Sequence, residues 1–379
     1  MTEEKNAYAL YRLPDSDTYT EIVQETGSPE TFFSCCGLDG RSGFVLAPFA
    51  VSGDLPILLI HPDRIISGKV DALPFLPDEA IPATQVINTG RDSYLSDFKA
   101  FHTRLVSGEF GKVVLSRCAV YDMQEPVSPR VLFARACRFF PHMFVALVHT
   151  GCSGTWLAAT PEILLGGSGK SWHTVALAGT MPLECGRKAA GEAPPPFRPK
   201  GSNGSIVPEI CRAGDAGSFF WNHKNIEEQR YVSSYIKECV SRFAEGFREE
   251  GPRTVRAGNV VHLRSDFTFT ISPDVGIGRL LGELHPTPAV CGMPKQEAFD
   301  FINAHEASPR KYYSGFMGLV GISDSTHLYV SLRCMHIDGC RCRLYAGGGL
   351  LSASCAEEEL METEAKMESM RKCLAIKRI

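Results

Sequence analysis

Apolar positions along this chain follow two patterns: short apolar runs bounded by Pro and Gly, and longer stretches in which apolar residues recur every three or four positions. The runs GFVLAPF (43–49) and LPILLIH (55–61) predict strands within a first 110 residues otherwise broken by Pro and Gly. Tyr94, Leu95, Phe98, Phe101, Leu105 and Val106 fall at helical spacing and predict a helix over 92–107. A strand over 112–120 follows, then a helix around 128–138. FVALVHT and TWLAA, separated by GCSG, read as a hairpin. Residues 184–217, which contain GEAPPPFRPKGSNGS, lack apolar periodicity and read as a mobile loop or insertion. Beyond them the pattern predicts a helix over 224–245 and a second over KQEAFDFINAHE, opened by Pro294. A meander of three runs comes next, GFMGLVGI, HLYVSLRCMHI and CRCRLYAG, and a last helix covers 355–376. Adjacent strands in blocks, with helices between the blocks, predict an α+β fold and not a βαβ alternation.

Composition narrows the function classes. A chain of 379 residues predicts one large domain or two closely joined ones. Its 44% hydrophobic and 22% charged content are ordinary globular values. A net charge of −4 with no Lys/Arg block argues against a nucleic-acid face, so any anion site must be local. There is no Walker A motif, and GIGRLLG (276–282) resembles a dinucleotide loop only loosely. The N-terminal MTEEKNAYALYRL lacks a signal-peptide h-region, and no apolar run is long enough for a bilayer. Fourteen cysteines scattered through a chain of this length predict reduced thiols in a cytoplasmic protein. Cys340 and Cys342, with Cys334 nearby, lack the CxxC-type spacing and second ligand pair of a structural zinc site.

Several polar residues stand in unusually apolar or glycine-rich surroundings. Lys112 opens GKVVLSR: it is either a strand-end lysine reaching water or a desolvated base with a lowered pKa. Glu162, fixed behind Pro161 between TWLAA and ILLGG, is either a turn carboxylate or a general acid with a raised pKa. Glu228 lies one turn before Val232 on the apolar stripe Val232, Tyr235, Ile236, Cys239, Val240, Phe243. It should therefore point inward, where carboxylates are paired or metal-bound. Glu359, Glu362 and Lys366 share one helix face, as a solvated Glu–Lys pair or as part of an oxygen-rich Mg²⁺ site. Gly347, Gly348 and Gly349 form either a flexible turn into the last helix or a close backbone approach to an anion. His285 is held stiff before Pro286, and Arg333 in a strand-like run is suited to clamp a carboxylate.

Nine segments in order across residues 111–366 resemble the chorismate-utilising enzymes, and most closely the isochorismate synthases. They are GKVVLSR, TPEILL, LAGT, KNIEEQRYVSSYI, HPTPAVCGMP, SPRKYYSGFMG, VSLRC, YAGGGL and METEAK. The resemblance implies one large α+β chorismate-binding domain with extensive antiparallel sheet flanked by helices. Residues 1–110 would form its N-terminal part and 111–379 its catalytic core. It implies Mg²⁺-dependent isomerisation of chorismate to isochorismate, by water addition at C2 and loss of the C4 hydroxyl, as in menaquinone or siderophore biosynthesis. Lys112 would activate water and Glu162 would protonate the leaving hydroxyl. Glu228 and Glu362 would bind the metal, with Glu359 assisting. Arg333, Lys366 and the Gly347–Gly349 backbone would hold substrate carboxylates, while Ala178, Gly179, Thr180 and His285 would line the ring. Lys112 together with Ala178 favours water over ammonia as nucleophile. The rivals are a salicylate synthase, which also eliminates pyruvate, and a non-catalytic chorismate-binding relative. Gln229 stands where many relatives carry His, Leu360 where Trp is common, and the 184–217 segment is longer than expected. A monomer is expected, with chorismate as the small-molecule partner and neither nucleic acid nor membrane.

Overall fold

The computed structural model describes residues 7–74, 84–182, 221–257, 260–272 and 275–374. The loop expected over 184–217 lies outside the described residues. Two antiparallel sheets carry the fold. One holds β1 (Ala7–Arg12), β2 (Thr18–Gln24), β6 (Arg64–Lys69), β7 (Thr84–Asn88), β8 (Lys112–Met123), β9 (Phe144–Thr150), β10 (Gly154–Thr160), β15 (Gly292–Met293), β18 (Cys334–Asp338) and β19 (Arg341–Leu350). The other holds β3 (Glu30–Phe32), β4 (Gly43–Ala47), β5 (Ile57–Ile60), β11 (Ile163–Ser168), β12 (Ser171–Pro182), β13 (Ala244–Ala257), β14 (Val260–Ile271), β16 (Phe316–Ile322) and β17 (Ser325–Val330). The spatial orders are β15-β8-β19-β18-β10-β9-β1-β2-β6, with β7 also beside β8, and β13-β14-β12-β11-β17-β16-β4-β5-β3. The helices are α1 (Arg91–Val106), α2 (Pro129–Phe139), α3 (His223–Ser241), α4 (Ile277–Leu284), α5 (Lys295–His305) and α6 (Ala356–Cys373).

Runs such as FVALV (144–148) are apolar at every position because both sheet faces are covered. Ala146 and Val148 join Tyr11, Phe44, Trp156, Met317 and Tyr329, drawn from both sheets, and Phe144 stacks on Tyr329 at 4.1 Å. Leu147, one residue away, faces Leu132 and Phe133 of α2 and Met367 and Met370 of α6. Val232 and Ile236 of α3 and Leu280 and Leu281 of α4 cover the second sheet at Ala176, Phe267 and Leu328. Phe98 and Phe101 of α1 and Phe301 and Ile302 of α5 pack on Val113, Leu115 and Leu350 at the β8–β19 end of the first sheet. Each such large apolar side chain contributes roughly 1.5–3 kcal/mol when buried.

Three local expectations change. The helix predicted over 224–245 stops at Ser241, and β13 begins at Ala244. That charge-rich strand forms the edge of its sheet, so it needs no apolar face and shows no apolar alternation. HLYVSLRCMHI is two strands in different sheets, broken at Ser331–Arg333, so Arg333 sits at a corner with φ +45° and not within a strand. Gly347–Gly349 are not a turn; they lie within β19, paired with Ser116, Leu115 and Val114 of β8. No helix among the described residues is long and apolar enough to cross a membrane.

Candidate active site

Two of the places where the chain passes between the sheets are neighbours, and each carries a charged residue. After β10, Thr160–Pro161–Glu162 leads into β11; after β17, Ser331–Leu332–Arg333 leads into β18. The crossings are bonded to each other: Val330 N donates to Glu162 O at 2.9 Å, and Ala159 N donates to Arg333 O at 3.1 Å. Glu162 is 2% exposed. Burial pushes its carboxyl up to about 8, with Lys112 and Lys366 only partly opposing the rise.

Lys112, at the first position of β8, is fully buried. Its Nζ lies 3.2 Å from Glu228 Oε1. That contact is an ion pair without hydrogen-bond alignment, and Nζ has no hydrogen-bond partner among the described residues. Burial lowers the Lys112 pKa, and Glu228 and Glu162 pull the other way. Glu228 points inward from α3 with Val232, Ile236 and Val240, as the apolar stripe requires. Gly349 makes room for the pair: a Cβ there would lie 2.1 Å from Glu228 Oε1 and 2.8 Å from Lys112 Cε.

A polar chain crosses the opposite wall. Arg333 Nη2 is 3.0 Å from His262 Nε2, and His262 Nδ1 is 3.2 Å from Thr180 Oγ1. A guanidinium only donates, so Nε2 accepts and the imidazole proton sits on Nδ1, facing the threonine. Burial and then Arg333 hold the His262 pKa well below its usual value, which keeps the ring neutral. Burial also lowers Arg333, to about 10, so it remains charged at neutral pH. Thr180 is turned to this chain by a bulge between Ala178 and Thr180, where Gly179 has φ +65° and a Cβ would meet Asn225 O at 2.7 Å. Gln229 ties α3 to this strand. Its Oε1 accepts from Ala178 N at 2.9 Å, and its Nε2 donates to Ala176 O at 3.1 Å.

On α6, Glu359 and Glu362 converge above Gly348, whose Cβ would lie 3.2 Å from Glu359 Oε2 and 3.5 Å from Glu362 Oε1. Lys224 pairs with Glu359. Lys366 Nζ donates to Glu362 Oε1 at 2.7 Å and to Gly347 O at 3.0 Å. Burial and then the neighbouring Glu362 push Glu359 up to about 7. Burial works against the charge on Lys224, but Glu359, Glu362 and Glu228 together raise its pKa. Among the described residues no three acidic, His or Cys side chains form a ready metal cluster. The donor set nonetheless fits a hard cation that keeps its waters. Glu359 Oε2 is a buried acceptor without a partner, two carboxylates repel across a space left by a glycine, and Mg²⁺ needs only one or two carboxylates besides water and substrate oxygens.

These elements enclose about 630 Å³, mouth included, lined by Glu162, Ala178, Thr180, Glu228, His262, Tyr313, Arg333, Tyr345, Gly347, Gly349 and Lys366 among others. Lys112 lies behind Glu228, and Gly348, Glu359 and Glu362 lie beside Lys366. Gly179 shapes the wall from behind. His285 is not on the wall: it ends α4, its Nε2 is 3.1 Å from Pro48 O, and its ring packs edge-on against Phe316. Sequence reasoning missed His262, Tyr313, Tyr345 and Lys224. The first stands alone in VVHLRS, an apolar run whose burial was the one available signal.

The profile of the family described as chorismate binding enzyme matches residues 70–372. The isochorismate synthase DhbC of Bacillus subtilis (strain 168) is 28% identical over 284 residues, which cover 73% of this chain and 66% of that protein. The chain thus spans slightly under two thirds of this curated relative. The structure of DhbC from Bacillus anthracis superposes with a TM-score of 0.78 at 19% identity, over 99% of this chain and 98% of that one. MenF, the menaquinone-specific isochorismate synthase of Escherichia coli, superposes with a TM-score of 0.73 at 20% identity, over 98% and 90%. At these identities the likeness establishes the fold. With the profile match covering most of its length, the chain belongs to the chorismate binding enzyme family.

Proposed function

We propose that this protein isomerises chorismate to isochorismate, adding water at C2 and expelling the C4 hydroxyl. The observation that carries the reading is the pairing of Lys112 with Glu162. Both are buried, Glu162 on the cavity wall and Lys112 behind Glu228, and burial works against the charged form of each, lowering the lysine and raising the carboxyl to about 8. An uncharged lysine accepts a proton from water, and a carboxyl still protonated near neutral pH gives one to a departing hydroxide. Arg333 and Lys366 supply positive charge for an anionic ligand, and the neutral His262 holds Arg333 in place. Glu228 and Glu362 would hold Mg²⁺, with Glu359 assisting; when bound it supplies the charge that fixes a substrate carboxylate. Glu228 also faces Lys112, so the base and the metal-holding residues share one carboxylate.

The test is incubation of the purified protein with chorismate, with and without Mg²⁺, with chromatographic separation and a pyruvate assay. A Mg²⁺-dependent isochorismate peak without pyruvate is the expected outcome. Salicylate with matching pyruvate would assign the protein to the eliminating enzymes. Chorismate bound but unchanged would make it a non-catalytic relative.

A further inference from the structure

β8 carries Lys112, and among the described residues one of its edges is incompletely paired. β15 covers it only at Lys112 and Val113, extended by Val114 N donating to Cys291 O at 2.6 Å. β7 joins the same edge only from Val120 onward. Between them, the next backbone groups on that edge are taken by a buried ion pair outside any strand. Arg310 Nη2 donates to Val114 O at 2.9 Å, and Glu306 Oε1 accepts from Ser116 N at 2.6 Å. The pair is joined as a two-pronged fork, Nε to Oε2 at 2.6 Å and Nη2 to Oε1 at 2.8 Å. Both side chains are 3% exposed. Arg310 Nη1 also donates to Val290 O at 2.6 Å, and its guanidinium lies 4.3 Å from the Phe49 ring centroid. A charged pair thus stands in for a missing stretch of strand.

Of its three backbone contacts, two are with residues of the cavity wall and the third is with Ser116 of β8. Val114 and Val290 line the cavity, and Val114 lies two positions after Lys112, on the same face of β8. We infer that Arg310 and Glu306 are positioning residues: they lock the 287–291 loop to β8 and so hold Lys112 in register with the rest of the site. The inference rests on the proposed role of Lys112. A purely structural role would be expected if the pair closed onto helix surface or solvent. Here all the bonds outside the pair go to the two strands of backbone that frame the base. A charged pair suits this place because its fork fixes both distance and direction.

The test compares the full-length wild type with Glu306→Gln, which keeps the size of the side chain but breaks the fork. Steady-state turnover of chorismate, the thermal midpoint and backbone amide exchange by mass spectrometry are read together. The expected result is a kcat lower by about 100-fold with KM within a few-fold, since roughly 1 Å of misplacement at a catalytic group costs that much. Amide exchange should quicken over 112–116 and not in β9, β10, β16 or β17. Unchanged kcat, or a loss confined to KM or to the thermal midpoint, would overturn the inference. If Glu306→Gln does not fold, Arg310→Lys, which keeps the charge and loses the fork, carries the same expectation. A wild type that leaves chorismate unchanged would sink the proposed reaction alone. In that case unaltered exchange over 112–116 in the variant would still refute the clamp, and local quickening would still support it.

Discussion

Gly349→Ala probes the packing around the proposed base directly. The added methyl carbon would sit 2.1 Å from Glu228 Oε1 and 2.8 Å from Lys112 Cε, against an ordinary contact limit of 3.4 Å. The carboxylate would have to retreat by about 1.3 Å, and the lysine stem by about 0.6 Å. Overpacking of this kind costs about 1–3 kcal/mol of stability, which a domain of this size tolerates. A displacement of about 1 Å at a catalytic group costs on the order of 100-fold in rate, so kcat should fall by about that factor. Gly348→Ala is the matched control: its methyl would meet Glu359 Oε2 at 3.2 Å, a shortfall of a few tenths of an ångström on the α6 side. It should change the Mg²⁺ requirement more than the turnover at saturating Mg²⁺. The assay is chorismate turnover by both variants across a Mg²⁺ titration, with folding checked by circular dichroism. A folded Gly349→Ala enzyme with wild-type turnover would refute the placement of the Lys112–Glu228 pair.

Other consequences follow from the same geometry. Lys112→Ala should lower kcat by about 10²–10⁴-fold while leaving the fold intact, because it removes the proton acceptor; near-normal turnover would rule out that role. Glu162 stays protonated in the folded protein up to about pH 8, whereas its ordinary value is 4.5. The folded state therefore holds more protons than the unfolded one between these limits, and this group makes stability fall as pH rises through that window. Glu162→Gln should flatten that part of the stability–pH curve, measured by denaturant titration, and should abolish turnover. Glu359→Gln should weaken Mg²⁺ affinity by about 10–100-fold, as expected of a group acting beside the direct ligands. Mg²⁺ titration of the thermal midpoint reads this without turnover, and an unchanged midpoint response would exclude Glu359 from the metal's surroundings.

Much of the architecture was legible because local pattern and burial agree. Glu228 was placed by one rule, its phase on the apolar stripe of α3, and the helix buries it accordingly. The spacing of Tyr94, Phe98, Phe101 and Leu105 likewise marked α1. Sheet membership was not legible. The run HLYVSLRCMHI reads as one continuous strand, and nothing local says that it changes sheets at Ser331–Arg333, yet that change puts Arg333 beside the Glu162 crossing. Gly347–Gly349 looked like a turn because glycine usually marks one; β19 uses two of them to clear space for side chains from α3 and α6. His285 was expected at the ring from the family resemblance alone, and its imidazole is taken up by Pro48 O. Lys224, His262 and the Glu306–Arg310 pair act through partners tens to hundreds of residues away, which no window along the chain contains.

The central claim is that water adds at one ring carbon while hydroxide leaves another. Running the reaction in water enriched in oxygen-18 tests it directly, since isochorismate and chorismate otherwise share one mass. The account predicts isochorismate carrying one heavy oxygen, formed only when Mg²⁺ is present and lost in Lys112→Ala. Unlabelled isochorismate would mean the original hydroxyl migrates within the molecule, and would contradict the roles given to Lys112 and Glu162.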